Sequence, residues 1–517
     1  MNYSWNDKLY VAGYLLTNNR DVTNKKIGVE WNKWNRLTFD QYDLFFHPEQ
    51  HVYSLKNDDI YYVLIGHAYN PFTMEWDEVQ ILNKLASLYG KTEYQEYFDQ
   101  LTGLFLYVVI QDEKLILNTD CAGMLPAYYA KVSDQVYCSA YSQMIADLCD
   151  LTEDGYVTKL KRSKLFHLYG WFLPGDMSPY KEVKRIVANT EVRYQKGKFN
   201  CKRFYPRSEY SIIDDSMYDE TVKRIGEIMH NNLLLILKKW KKPAISLTGG
   251  MDSQTTLACA SDVQNQFEYY SYISLPREET DANAAHFICE SKGLHHTIYH
   301  VELDRSKIEE FDEVDQLLER HYSYLGKANE NDICKRISLK KQLHCDIEVK
   351  SWVSEVARAS RYKMYGKKNM PKLTPRRLTT MYKVFAINRK DAVKTDKQFK
   401  DYLEKTQLKQ MIDKYNYPWS EFFVWEIVFG CWGSLALTGE HKLTNDITIP
   451  YNNRALIDIM LRTPLEKRIS DELNRDIIKC MDKDLFELNV HVVNGNETKK
   501  RELAEKLYFE IHSRLPY

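Results

Sequence analysis

Long apolar runs and paired cysteine motifs are both missing from this chain of 517 residues. No stretch approaches the ~20 uninterrupted apolar residues of a membrane-spanning helix, so no membrane contact is expected. The ten cysteines contain no CxxC pair, which argues against a zinc ribbon and a redox-active dithiol. The first residues, MNYSWNDKLY, lack a basic segment followed by an apolar run, so no secretory signal is expected. We therefore expect a cytoplasmic protein with reduced cysteines.

An excess of charge of either sign is missing as well. The chain has 71 Lys and Arg residues against 72 Asp and Glu residues, a formal net charge of −1. A dedicated nucleic-acid binder usually carries a basic excess, so the composition argues against nucleic acid as a partner. The hydrophobic fraction of 44% and the charged fraction of 28% are typical of a globular protein.

Short strands are predicted through roughly the first 200 residues, where aromatic and β-branched runs alternate with polar breaks. The clearest runs are Ile60–Ile65, Leu104–Ile110, Leu115–Leu117, Ala127–Tyr129 and Val136–Ser139. Helical spacing of apolar residues predicts helices over Glu78–Tyr89 and Tyr141–Leu148. We expect a layered α+β domain over residues 1–208 and a second domain over residues 209–517.

Strands and helices alternate after the polar stretch Tyr205–Tyr218. The predicted order is a helix, then strand–helix–strand–helix–strand: Tyr218–Lys239, Pro243–Leu247, Asp252–Ala260, Glu268–Leu275, Asp281–Lys292 and His296–Val301. Such alternation predicts a parallel sheet, and the fold class is therefore α/β in this part. After about Glu309 the pattern is mostly helical to the end of the chain.

The stretch AISLTGGMDSQTTLACA predicts a phosphate-binding turn. A strand meets the tight turn 248–250, and Asp252 and Ser253 then open a helix. Glycine permits a positive φ and a close approach of backbone to ligand, and the free N–H groups of a helix start favour phosphate. Asp252 is suited to hold Mg²⁺ against the phosphates. Neither a Walker A lysine nor the Rossmann GxGxxG spacing is present.

TGGMDS resembles the SGGxDS pyrophosphate loop of the ATP-pyrophosphatase (PP-loop) superfamily, with Thr248 in place of Ser but its hydroxyl kept. The alternative is a plain turn whose Asp only caps the helix. Two adjacent glycines and an Asp-Ser pair between a strand and a helix favour the phosphate loop.

Six further segments resemble the asparagine synthetase branch of this superfamily, in order and spacing. They are IGHAYNPF, LTGLFLYVVI, DCAGMLPAYYA and YCSAYSQMIADL in the first part, and YISLPREETDANAAHFICESKGLHHTIYHVE and IPYNNRALIDIMLRTPLEKR in the second. The resemblance implies an amidotransferase-like (Ntn-type) α+β sandwich followed by a synthetase domain of the adenine-nucleotide α-hydrolase type with a largely helical end.

Two departures from the family pattern stand out. The family's glutaminase uses an N-terminal Cys, whereas this chain has Asn2 and no Cys before Cys121. Because that amide attack needs a thiolate, we expect no glutamine hydrolysis, as in β-lactam synthetase and lasso-peptide cyclases. The second pyrophosphate loop is also altered: VKSWVSEVARASRYKMYG stands where the family has SGEGSDE.

The resemblance implies roles for particular residues. Glu355 would be a second Mg²⁺ ligand, and Arg358 would neutralise the leaving pyrophosphate, although a solvated helix-face arginine is the alternative. Tyr362 and Asp446 would form a pair that deprotonates the attacking amine. Lys499, or Lys500 beside it, would stabilise the adenylation transition state. The nucleotide-binding residues expected are Ser246, Leu247, Thr248, Gly249, Gly250, Asp252, Ser253 and Ser274.

The function that the resemblance implies is adenylation of a carboxylate followed by amide formation, with ATP and Mg²⁺ as cofactors. The partners expected are a small-molecule or peptide carboxylate and an amine donor, with a homodimer left open. Two alternatives also remain: a PP-loop enzyme that modifies tRNA or a nucleobase, and a non-catalytic nucleotide-binding scaffold. The altered second loop is the argument for the scaffold.

Overall fold

The computed structural model describes residues 5–163, 166–167, 172–383, 389–490, 492 and 499–514, with Asn6 and Lys499 described by their backbones alone. Within these residues the chain forms two six-stranded antiparallel sheets, one five-stranded parallel sheet and many helices. The predicted mixed α/β architecture is therefore confirmed.

The two antiparallel sheets make up the amino-terminal part. Their strands are β1 (Tyr14–Thr17), β2 (Asn35–Phe39), β3 (Tyr42–Phe46), β4 (Val52–Asn57), β5 (Ile60–Tyr69), β6 (Thr102–Gln111), β7 (Lys114–Thr119), β8 (Tyr128–Val132), β9 (Gln135–Ser139), β10 (Lys184–Arg185), β11 (Thr190–Gln195) and β12 (Lys198–Arg203). The first sheet has the order β10-β8-β9-β1-β3-β2 and the second β12-β11-β7-β6-β5-β4. Each strand predicted here coincides with an observed strand.

Alternation along β6 explains the layering of this part. Leu104 and Leu106 face the core shared with the first sheet, whereas Phe105 and Tyr107 face a second core under two helices. A period of two is what a strand buried on both faces requires. The four helices of this part are α1 (Glu78–Leu88), α2 (Tyr94–Asp99), α3 (Ser142–Cys149) and α4 (Gly155–Lys161). Since α3 packs on β8 and β9, the layers run helix, sheet, sheet, helix.

The parallel sheet belongs to the carboxy-terminal part. Its strands are β13 (Pro243–Ser246), β14 (Glu268–Ile273), β15 (His296–His300), β16 (Ile347–Val349) and β17 (Ile447–Thr448), in the order β15-β14-β13-β16-β17. The first three follow the prediction. The last two lie in the stretch expected to be mostly helical, because strands of three and two residues are too short to give a periodic signal.

Helices fill the rest of the carboxy-terminal part. They are α5 (Tyr218–Lys239), α6 (Met251–Cys259), α7 (Pro276–Ser291), α8 (Phe311–His321), α9 (Glu330–Gln342), α10 (Ser360–Tyr365), α11 (Pro375–Tyr382), α12 (Arg389–Thr406), α13 (Leu408–Tyr415), α14 (Trp419–Thr444), α15 (Arg454–Leu461), α16 (Leu465–Ile469), α17 (Glu472–Met481), α18 (Lys483–Leu488) and α19 (Lys499–His512). Short 3₁₀ turns occur at Trp5–Lys8, Val22–Asn24, Trp31–Lys33, Asp215–Met217, Gln264–Gln266, Arg305–Lys307 and Ser354–Val356. The predicted helix Tyr218–Lys239 matches α5 at both ends, whereas α7 begins earlier than predicted because Pro276 is favoured at a first helical position.

Helix α14 stands out among the described helices for its apolar composition. By length and composition it is the one described helix that passes as a membrane span, but 78% of its apolar window is buried inside the molecule. Such burial is typical of a core helix. Much of α14 has π-helical hydrogen bonding, over Phe423–Gly433 and Leu437–His441. This geometry is rare in proteins, and where it occurs it is often found at functional sites.

A short polar segment before α15 joins the two parts. Asn452 donates to the Gly103 carbonyl at 2.7 Å and to Asp120 Oδ1 at 2.9 Å, and both acceptors belong to the amino-terminal part. Arg454, 1% exposed, donates to Asp99 Oδ1 at 3.0 Å. Buried polar groups must find partners, so this segment sets the position of the sandwich relative to the parallel sheet.

Candidate functional site

A cavity of about 470 Å³ opens at the carboxyl edge of the parallel sheet. Its wall comes from the turn between β13 and α6, from Tyr272 on β14, from the segment after β16, from the residue after α8, and from α9 and α14. In open α/β sheets ligands bind at this edge. The cavity is therefore the candidate ligand site of this chain.

The turn from β13 into α6 carries the predicted phosphate loop. Leu247, fully buried, extends the strand pairing through its N–H to the Tyr270 carbonyl at 2.9 Å. Helix α6 then begins at Met251 with Gly250 as its N-cap residue. Ser246, Thr248, Gly250, Asp252 and Ser253 all line the cavity. The start of helix α6 therefore lies in the cavity wall, and the free N–H groups of a helix start favour phosphate.

Two hydroxyl groups hold the turn in shape. Ser253 Oγ accepts from the Thr248 N–H at 3.2 Å and lies 2.9 Å from the Thr248 carbonyl and 3.0 Å from the Gly250 carbonyl, both acceptors. The Gly250 N–H in turn donates to Thr248 Oγ1 at 3.2 Å. The Ser253 proton is thus used inside the loop. The hydroxyl kept at Thr248 has a structural reason, since it binds the loop's own backbone.

The two glycines are required for different reasons from those expected. Neither Gly249 nor Gly250 has a positive φ, so left-handed backbone does not explain them. A Cβ on Gly249 would lie 2.2 Å from the Val492 side chain and 3.0 Å from Ala284 Cβ. A Cβ on Gly250 would meet only Thr248 Oγ1, at 3.1 Å. Close packing explains Gly249, whereas Gly250 lies in the cavity wall, where a small residue leaves room.

The carboxylates Asp252 and Glu355 both line the cavity. Burial, and then the charge of Asp252, raise the pKa of Glu355 to about 7. Burial also raises the pKa of Asp252, against the lowering effect of Arg358. Asp252 Oδ1 is buried and has no hydrogen-bond partner among the described residues. Two neighbouring carboxylates with an unused oxygen favour a cation between them.

A magnesium ion fits this pair better than an ion held by protein ligands alone. No group of three or more His, Cys, Asp or Glu residues suited to a metal occurs in the part of the chain that the structure describes. Mg²⁺ is usually bound by one or two carboxylates together with substrate phosphates. Asp252 and Glu355 therefore suit Mg²⁺ carried in with a nucleotide.

A residue with a strained backbone precedes Glu355 in the altered second loop. Val353, fully buried, has φ 76° just before the 3₁₀ turn that carries Glu355. A β-branched residue rarely adopts this conformation, which costs on the order of 1–3 kcal/mol. The surrounding core thus holds Glu355 toward the cavity at the expense of local strain.

Arg358 forms an ion pair with Asp252 of the first loop. Its guanidinium is paired with Asp252 Oδ2 and with Asp471 Oδ1, the latter at 2.7 Å, and its side chain is 20% exposed. Burial lowers its pKa, but the charges of Asp252 and Asp471 outweigh burial and raise it. Arg358 is therefore a partner of the first loop's carboxylate, not a solvated arginine.

Tyr362 and Asp446 are not brought together. Tyr362 lies beside Glu421, and burial raises its pKa to about 12. Asp446 precedes β17 and so lies at the amino edge of the sheet, 3.5 Å from Lys442 Nζ. Burial raises the pKa of Asp446, but the charges of Lys442 and His67 and the hydrogen bond from the Ile447 N–H together lower it, and the net shift is downward. Neither residue lines the cavity.

Two further predicted residues lie apart from the cavity wall. Ser274 donates its hydroxyl to Glu278 Oε2 at 2.5 Å and does not line the cavity. The side chain of Lys499 lies outside the described residues, so its predicted role stays a prediction, and the neighbouring Lys500 is exposed.

Sequence reasoning missed the far wall of the cavity. The residues concerned are Tyr322, Arg336, Lys350, Trp352, Trp432, Glu440 and His441. The Tyr322 hydroxyl donates to Glu440 Oε1, and burial followed by the Glu440 charge raises the pKa of Tyr322. The available signal was the adjacent polar pair Glu440–His441 near the end of the largely apolar helix α14.

Comparison with known proteins leaves the family of this chain open. No family model and no curated protein matches the sequence. One similar solved structure is the glutamine phosphoribosylpyrophosphate (PRPP) amidotransferase from B. subtilis complexed with ADP and GMP, at 9% identity and a TM-score of 0.20, covering 62% of this chain and 63% of that chain. Another, described as the allosteric regulatory enzyme of purine biosynthesis, has 10% identity and a TM-score of 0.23, covering 51% of this chain and 60% of that chain. This chain thus spans less than two thirds of the length of either structure, and likenesses this distant assign no activity to it.

Proposed function

We propose that this chain is an ATP-dependent carbon–nitrogen ligase of the asparagine synthetase-like PP-loop type, which adenylates a carboxylic acid and joins it to an amine. The observation that carries the proposal is the arrangement at the sheet edge. A strand turns through Thr248–Gly250 into a helix start, and Asp252 and Glu355 line the same cavity. This is the arrangement that a nucleotide's phosphates and their magnesium require.

The charges of the wall support a requirement for the metal. Four acidic side chains line the cavity, whereas the basic side chains there are Arg336 and Lys350; the acids are Asp252, Asp332, Glu355 and Glu440. A polyanionic triphosphate is repelled by such a wall unless a cation lies between them. Mg²⁺ held by Asp252 and Glu355 would supply that charge and polarise the phosphates.

The proposed reaction has two steps. A carboxylate oxygen attacks the α-phosphorus of ATP, the bond from that phosphorus to the bridging oxygen of the β-phosphate breaks, and pyrophosphate leaves. An amine then attacks the acyl carbon, and AMP leaves with the carboxylate oxygen that it received. The amine loses one proton in this step and needs a base.

Tyr322 and Glu440 are the proposed base. The Tyr322 hydroxyl donates to Glu440 in the cavity wall, so the phenol can accept the amine's proton while its own passes to the carboxylate. Burial raises the pKa of Glu440, which suits it to hold that proton. The pair takes the role that sequence resemblance had suggested for Tyr362 and Asp446.

The amino-terminal part is proposed to act as a scaffold without glutaminase activity. The first cysteine of the sequence, Cys121, is 2% exposed, and burial raises its pKa. A buried thiol that stays protonated is a poor nucleophile. Asn2 lies outside the described residues. The amine would therefore enter from solvent.

Exchange of labelled pyrophosphate into ATP tests the proposal. The full chain, given Mg²⁺ and a panel of carboxylic acids, should catalyse exchange that depends on one class of acid. Asp252→Ala should reduce the exchange rate at least about a hundredfold, in the range of losing one electrostatic contact to the transition state. Asp312→Ala, at an exposed carboxylate paired with Arg305, is the control and should leave the rate unchanged.

Calorimetry with Mg²⁺ and ATP separates the alternatives. Nucleotide binding without acid-dependent exchange would favour the non-catalytic scaffold, because binding alone stabilises the fold without turnover. Full exchange by Asp252→Ala would contradict the assigned metal ligand. No binding of Mg²⁺–ATP by the wild type would overturn the ligase proposal altogether.

A further inference from the structure

Two tryptophans form one side of the cavity, on the side of the phosphate loop away from β14. Trp352 follows β16, and Trp432 lies on α14, which leads into β17. Their rings are stacked, with centroids 6.0 Å apart and planes at 25°. We call Trp352 and Trp432 the tryptophan platform. Trp432 is 40% exposed although both rings line the cavity, so part of its ring is available to a ligand at the cavity mouth.

A third ring, that of His441, packs against the platform. Trp352 meets the ring of His441 edge to face, with centroids 5.1 Å apart and planes at 83°. His441 Nδ1 lies 3.0 Å from Arg336 Nη1, and because a guanidinium only donates, the imidazole accepts there. Burial, and then the nearby Arg336 charge, lower the pKa of His441 well below its usual value. The imidazole is therefore neutral and fixes both the platform and Arg336.

Two basic side chains, Lys350 and Arg336, adjoin the platform. Lys350 Nζ lies 5.6 Å from the centroid of the Trp352 ring and is paired with the carboxylate of Glu348. Arg336 is 4% exposed, and its buried Nε has no hydrogen-bond partner among the residues that the structure describes. Glu440 Oε2 is 3.7 Å from this Nε, too long for a hydrogen bond. An unsatisfied guanidinium donor in a cavity wall needs an acceptor, and a carboxylate suits it best.

We propose that the acid activated by this enzyme carries a flat aromatic or heteroaromatic ring, which stacks on Trp432 while its carboxylate group is drawn toward Arg336. This inference rests on the proposed function and names the substrate class of the same cavity. Offset stacking on a tryptophan face favours a planar ring. A ring that carries an ammonium group in place of the carboxylate would offer Arg336 no acceptor.

The volume of the cavity limits the size of the substrate. The cavity of about 470 Å³ must hold nucleotide phosphates as well as the acid. Sites for small molecules span roughly 300–1,000 Å³, so one ring beside a triphosphate fits. Because the Trp432 ring reaches the mouth, substituents on the far side of the substrate ring would extend into solvent.

Three probe compounds test the inference on the chain of 517 residues. Benzoate, cyclohexanecarboxylate and benzylamine share a six-membered ring but differ in flatness and charge. In ligand-observed saturation-transfer NMR with Mg²⁺ and a non-hydrolysable ATP analogue, benzoate should bind about tenfold more tightly than cyclohexanecarboxylate, the effect of one good aromatic contact. Benzoate should also bind more tightly than benzylamine, which has no carboxylate for Arg336. Trp432→Ala should remove the preference for benzoate over cyclohexanecarboxylate, and Trp432→Phe should restore it.

The control is Trp76→Phe, at a half-buried tryptophan that does not line the cavity, and it should leave benzoate binding unchanged. Equal binding of benzoate and cyclohexanecarboxylate, tighter binding of benzylamine, or an unchanged preference in Trp432→Ala would each overturn the inference.

Pyrophosphate exchange with the same acids separates the two proposals. Exchange that Asp252→Ala abolishes but that shows no preference for aromatic acids would reject the ring-bearing substrate and keep the ligase. A platform-dependent preference for benzoate without any exchange would keep the subsite and reject the ligase.

Discussion

At the scale of single residues, the buried ring of His321 joins the two parts of the molecule through two directed hydrogen bonds. The Tyr10 N–H donates to His321 Nε2 at 2.9 Å, and His321 Nδ1 lies 3.2 Å from the Gly439 carbonyl. Because an amide N–H only donates and a carbonyl only accepts, the ring is neutral with its proton on Nδ1. Burial lowers the pKa of His321 to about 4. Tyr322 follows His321 in the sequence, and Glu440 follows Gly439. These two residues form the proposed base.

A pH-dependent loss of stability follows for His321. The pKa of an unfolded histidine is about 6.5, so between that pH and about 4 the unfolded chain binds the extra proton and the folded chain does not. The free energy of unfolding should therefore fall as pH falls through this window, by at most roughly 3 kcal/mol from this residue. Above pH 6.5 the contribution is fully present.

Urea unfolding of His321→Gln and wild type above and below pH 6.5 measures the effect. The other buried histidines act equally in both proteins, so the variant should show the shallower decline. His300→Gln, at an exposed ring, should decline like wild type. Parallel declines in wild type and His321→Gln would contradict the assignment of a neutral bridging ring.

At the scale of elements, the segment before α15 is a polar connector between the sandwich and the parallel sheet. Asn452, fully buried, uses its amide to satisfy the Gly103 carbonyl and Asp120 Oδ1, while its own oxygen accepts from the Ala122 N–H at 2.9 Å. Asp120 also accepts from the backbone N–H groups of Met124 and Leu125, each at 2.8 Å. The connector therefore orders the loop after β7 as well.

Replacement of Asn452 by Leu should destabilise the whole protein. Three buried polar groups would lose a partner, and each such loss costs about 1–3 kcal/mol before relaxation. We expect a loss of about 2–4 kcal/mol in the free energy of unfolding by urea titration. Asn200→Leu, at an exposed position of the edge strand β12, should change it by less than about 0.5 kcal/mol. Equal stabilities for the two variants would show that the connector contributes little.

Local patterns also explain which parts of the fold and the site could be predicted. The limits of α5 and the turn from β13 into α6 follow from apolar spacing and from adjacent glycines. Tyr322 and Glu440 are 118 residues apart in sequence, and no local period connects them. Tyr362 and Asp446, predicted as a pair, lie apart for a topological reason, since a residue before a parallel strand lies at the edge opposite the ligand.

At the scale of the whole molecule, the apolar core is continuous across both parts. One cluster of buried side chains extends from Trp5 through β6 and α5 to Phe509. The two antiparallel sheets share this cluster with the helices around the parallel sheet. Chains that split into independent domains have separate cores and few crossing contacts. The sandwich is therefore part of the structure that supports the cavity, although no glutaminase chemistry is expected of it.

A shared core predicts that both parts unfold together. Multidomain chains often unfold in steps, but here exposure of one part would uncover apolar surface of the other at a cost of about 25 cal/mol per Å². Hydrogen-exchange mass spectrometry in increasing urea should therefore give the same midpoint for peptides of β6 and α5, one from each part. Asn452→Leu should lower both midpoints equally. If β6 lost protection at a lower urea concentration than α5, the sandwich would be a separate unit, and its retention would need an explanation other than support of the cavity.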